Sequence, residues 1–169
     1  MPGTIHLVLS LSAIVIGGVI LLRYKGTRVH RWLGYAYAAC MLGVVATSFL
    51  LFKLTGRMTV LHWAAIVSAL TLGAGLFSVR YRKPRNSWLE GHAAWMAWSY
   101  VGLLGAFVAE SLTRYAMPLL RTTLEKEQLF GAFWALVGVA TALTMITGSL
   151  LIRMRLPKSI ASVTEGASA

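Results

Sequence analysis

Charge, and acidic charge above all, is what this chain of 169 residues has least of. Charged residues make up 12% of it, and only 5 are Asp or Glu, against 16 Lys and Arg. Soluble domains carry roughly 25% charged residues, so an ordinary soluble globule is excluded. One cysteine, Cys40, rules out a disulfide framework and a thiolate metal site, and its place in the middle of an apolar run suits a small packing residue. Carboxylates are too few to build the ligand sets of an ordinary metal enzyme, and no glycine-rich nucleotide-binding motif is present. The start of the chain lacks a basic leader region and a cleavage site, so its first apolar run is expected to be a retained span.

Apolar sequence is what remains: 57% of the residues are hydrophobic. They gather into five runs long enough for a ~30 Å hydrocarbon core, which takes about 20 residues of helix. The runs cover 4–22, 30–52, 60–79, 88–108 and 129–152. Their uninterrupted length indicates helices, because strands of a membrane barrel are shorter and alternate in polarity. The reading is an all-α membrane protein, a four-helix transmembrane bundle plus a fifth helix. Residues 1–110 form the bundle and 111–128 an amphiphilic connection broken at Pro118. Residues 129–153 make the fifth span, and 154–169 a disordered tail.

The net charge of +11 is placed for lipid, not for nucleic acid. Arg23, Lys25, Arg28 and Arg31 follow the first run; Arg80, Arg82, Lys83 and Arg85 follow the third; Arg153, Arg155 and Lys158 follow the fifth. With their few acids counted, these three clusters sum to +9, against +2 for the connections at the opposite end. The positive-inside rule then sets the N-terminus outside and the C-terminus in the cytoplasm. Trp32, Trp63, Trp88 and Trp134 near the helix ends read as aromatic belts. Such a chain belongs in a bacterial inner membrane.

Four histidines remain, His6, His30, His62 and His92, one near the start of each of the first four helices. Because successive helices run in opposite directions, His6 and His62 fall at one end of the bundle and His30 and His92 at the other. An internal repeat keeps histidine with glycine. Gly17 lies eleven positions after His6 and Gly73 eleven after His62, while Gly43 and Gly105 each lie thirteen after His30 and His92. Eleven residues make about three turns plus ~20°, so Gly17 and Gly73 share the face of their histidine. Helices 1–2 and 3–4 are thus two copies of one hairpin, able to pack about an axis along the membrane normal. In a ring taken in chain order, helices 1 and 3 are diagonal, as are 2 and 4. Each diagonal offers two imidazoles to the core, where bundles build cofactor sites.

Two histidine pairs at different depths suit two haems b per chain. The glycines would then leave room for the macrocycle, with Arg28, Arg31 and Arg80 at one rim and Lys53, Arg57 and Arg114 at the other pairing with propionates. Plainer readings stand beside this one: interfacial histidines, glycines that pack helices, basic clusters that only set topology. Glu110, eighteen positions and about five turns after His92, is expected beside the outer pair. It is either the polar end of a helix joined to Arg114 at i+4, or a group that relays a proton or binds an outer substrate such as a quinol. Two other functions remain open. One is a Zn or Cu transporter or sensor, for which supporting ligands are scarce; the other is a non-catalytic assembly subunit.

The histidine pattern resembles the transmembrane two-haem b-type cytochrome superfamily, with its ascorbate-dependent members, over about residues 6 to 110. The resemblance lies in pattern, not identity. It implies that His6 and His62 ligate an outer haem and His30 and His92 an inner one, with electrons passing across the membrane from quinol or another small reductant. A redox partner protein or a second copy of the chain is implied too. One departure is that His30 and His92 sit close to their basic connections, which would place the inner haem high in the interface. The segment His30-Arg-Trp-Leu-Gly34, with a histidine in the preceding helix, also resembles a family of bacterial four-to-five-helix membrane proteins.

Overall fold

The computed structural model describes residues 2–55, 60–83 and 87–166. Five helices follow one another, α1 (Pro2–Leu22), α2 (Arg28–Thr55), α3 (Val60–Tyr81), α4 (Trp88–Thr123) and α5 (Lys126–Gly166). Each contains a stretch long and apolar enough to cross a bilayer. The chain is an all-helical integral membrane protein.

The helices α1 to α4 pack in chain order around a ring, closed by a thinner seam between α1 and α4, while α5 lies along α4. Inside the ring sit Ala13, Tyr37, Ala38, Met41, Leu72 and Leu103. Outward faces stay apolar instead of turning polar: Val15 on α1 is 65% exposed and Leu70 on α3 67%. In water such faces would aggregate; against acyl chains they cost nothing. Hydroxyls inside the helices turn back on their own backbone, as Ser10 does to the carbonyl of His6 and Ser78 to that of Ala74. That satisfies them without water.

Both long helices outrun the sequence reading. The segment 111–128, expected as a connection broken at Pro118, is helix up to Thr123, and Pro118 lies inside α4. The tail, expected as disordered from 154, is helix up to Gly166 with Pro157 inside it. A proline in a helix interior forfeits a backbone bond and costs about 3 kcal/mol or more, so something must offset it. On α4 the offset is packing: Leu112, Met117 and Leu120 close over a cluster of Ala109, Phe133 and Val137 shared with α5. At ~1.5 Å per residue, the 36 residues of α4 are about 54 Å long, well beyond a ~30 Å core.

Candidate functional site: the histidines of the bundle

At the basic end, α2 begins just after the tight turn at Gly26, whose φ of 79° suits glycine. Thr27 caps it, its hydroxyl accepting the backbone N–H of His30 at 3.1 Å. That cap fixes where His30 leaves the backbone. Diagonally across, α4 brings up His92, and the two imidazoles face each other with ring centres 6.5 Å apart and planes at 90°. The protonation of one is set by its partner. His92 Nδ1 lies 2.9 Å from the carbonyl oxygen of Gly75 on α3. A carbonyl only accepts, so Nδ1 carries the hydrogen and the neutral ring keeps its lone pair on Nε2. His30 Nδ1 is buried and has no hydrogen-bond partner. An unpaired buried nitrogen is costly and calls for an account.

The separation of the ring centres is close to that of two imidazoles on one ion. Imidazole–metal bonds of about 2.0–2.1 Å on either side of one ion put the two ring centres roughly 6.4 Å apart. Edge-to-face packing of two rings covers similar separations, so distance alone decides nothing. His92 holds one ring nitrogen on a carbonyl, an arrangement common among ligating histidines, while His30 Nδ1 has no such partner. Arg31, one residue beyond His30, is exposed at the rim.

At the opposite end the partners differ. His6 Nδ1 is 2.8 Å from Thr47 Oγ1 on α2. That hydroxyl also lies within hydrogen-bond reach of the carbonyls of Gly43 and Val44, at 2.7 and 3.0 Å. His6 Nε2 faces Glu110 Oε2 at 3.8 Å, and Arg114 holds the other carboxylate oxygen at 2.5 Å. Glu110 is thus beside His6 and joined to Arg114 at i+4, as its spacing implied. His62 is buried on α3, with the ring of Phe49 on α2 at 6.5 Å between centres. Thr47 and Phe49 had no sequence signal: each is one of many apolar-run residues, and only their rotation on α2 aims them at α1 and α3.

The glycines have side-chain neighbours. A Cβ on Gly17 would run into the ring of Tyr100, whose hydroxyl donates to the carbonyl of Ile14 at 3.1 Å. Leu9 fills the space beside Gly43, and Met145 of α5 that beside Gly105. Gly73 is exposed with open space around it, and it is Gly75 that meets α4, at Met96. The room that Gly17, Gly43 and Gly105 leave is used by helix packing. Lys53 and Arg57 carry side chains outside the described residues.

Among the described residues no three His, Cys, Asp or Glu side chains come together. Comparison with curated proteins and with solved structures gives no match. The family described as predicted membrane protein (DUF2306) matches residues 3–152, and the chain belongs to it.

Proposed function

We propose that this protein is a b-type membrane cytochrome, with haem held between His30 and His92 and a second haem between His6 and His62. The observation that carries the reading is the facing pair at the basic end, 6.5 Å between ring centres and perpendicular, with His30 Nδ1 buried and unpaired. The outer pair rests on the repeat, which puts a histidine at the same end of α1 and α3. Bound haem would supply one-electron transfer at each end of the bundle, between a reductant such as quinol on one side and a partner on the other. The chain's own residues orient the ligands. Gly75 holds His92 by its carbonyl, Thr47 holds His6, and the apolar wall of the ring excludes water. With the basic end in the cytoplasm of a bacterial inner membrane, the conduit would run through the interior of α1 to α4.

The competing Zn or Cu reading has less support, since protein zinc sites take three or four side-chain ligands and the facing pair provides two. The assembly-subunit reading predicts that all four histidines can be replaced without consequence. A reduced-minus-oxidised visible spectrum of the purified protein, with haem counted per chain, tests the proposal. About two b-type haems are expected. No haem after expression with ample haem supply would overturn it.

A further inference from the structure

A second site lies where α1 turns into α2. Four features shape the elbow. Arg23 N–H still bonds the carbonyl of Val19 at 3.1 Å, ending α1. Lys25 folds back so that its ammonium donates to the carbonyls of Leu21 and Arg23, each at 2.8 Å. Gly26 turns the chain, and Thr27 caps α2. Lys25 is therefore spent on the open end of α1, where a cation complements the helix dipole, and partial burial holds its pKa below the ordinary lysine value. Under the elbow is a crevice of about 330 Å³ lined by Leu22, Arg23, Tyr24, Thr27 and Val29.

The lining is amphiphilic in an ordered way. Arg23, Tyr24 and Thr27 supply a guanidinium and two hydroxyls, while Leu22 and Val29 are exposed apolar walls continuous with the outer faces of α1 and α2. The crevice sits between two membrane spans, at the bilayer surface. No acidic residue precedes Glu90, so nothing on α1, α2 or α3 neutralises Arg23 or the neighbouring Arg28. A planar guanidinium over an apolar wall is suited to a phosphodiester that carries acyl chains, and not to a free soluble anion.

We propose that this crevice binds the headgroup of an anionic phospholipid, the phosphate on Arg23 and Thr27 and the acyl chains along Leu22 and Val29. It does not depend on the haem reading. Native mass spectrometry of the purified full chain, loaded from mixed phosphatidylglycerol and phosphatidylcholine micelles, reads it directly. One phosphatidylglycerol per chain is expected to survive stripping, with retention falling several-fold in Arg23→Gln and in Val29→Trp, which plugs the crevice without altering charge. Arg153→Gln, an equal charge loss elsewhere on the basic end, should leave it unchanged. Equal loss in Arg153→Gln would overturn the site in favour of diffuse attraction, and equal retention of phosphatidylcholine would overturn the headgroup assignment. Displacement of the lipid by millimolar inorganic phosphate would overturn the part given to the acyl chains. Retention unchanged in both crevice variants would overturn the proposal altogether.

Discussion

The two ends of the bundle carry the same residues from the same repeat and treat them differently. At the basic end, His30 and His92 face each other, and one imidazole nitrogen is left without a partner. At the other end, His6 is tied to Thr47 on one side and turned towards Glu110 on the other. A repeat in sequence fixes depth and residue type; it does not fix what a side chain meets. Partners come from the neighbouring helices: the carbonyl of Gly75 on α3 for His92, the hydroxyl of Thr47 on α2 and the carboxylate of Glu110 on α4 for His6.

The comparison breaks most cleanly at the histidines. His92→Ala is expected to abolish the haem of the basic end, taking the count from about two per chain to one, as read by the visible spectrum. His62→Ala should do the same for the outer haem; a count unmoved by it would confine haem to the basic end. The glycines come next. Gly17→Ala drives a methyl into the Tyr100 ring and should cost about 1–3 kcal/mol, seen as a lower thermal midpoint in detergent. Its repeat mate Gly73→Ala, in open space on a helix, should instead gain roughly 0.5–1 kcal/mol. Thr47→Val removes the hydrogen-bond partner of His6 and should cost about 1 kcal/mol, while Thr47→Ser keeps it. The smallest effect belongs to Glu110→Gln. It gives up an i,i+4 ion pair with a half-exposed Arg114, about 0.5 kcal/mol in the same melt.

Much of the architecture was legible because hydrocarbon imposes a simple rule: about 20 apolar residues make a span. The ends of α4 and α5 were not. Pro118 and Pro157 suggest breaks, and the Ala109–Phe133–Val137 contact, formed only once α5 has folded back along α4, overrides the first. Gly73 shows another limit. On α1 the inward seam runs His6, Ser10, Ala13, Gly17, in steps of four, three and four. On α3 the buried positions are His62, Ala65, Ser68, Leu72, Gly75 and Ser78, in steps of three, three, four, three and three. The same eleven-residue interval therefore lands on the seam in one helix and beside it in the other. Counting at a fixed 3.6 residues per turn cannot see that drift. Glu110 was legible, since eighteen residues is a whole number of turns and forgives the error.

The joint between α1 and α4 has a meaning in time as well as in space. The hydrogen bond from Tyr100 to Ile14 joins residues 86 positions apart, across the thinnest seam of the ring. Each hairpin can zip locally, but this joint must wait until the fourth helix has been made and inserted, and non-local closures of this kind are the slow ones. Until then the interior of the bundle lies open sideways to the bilayer. For the haem proposed above, ring closure would be the last step at which it could enter sideways, so the order of synthesis would bear on its loading.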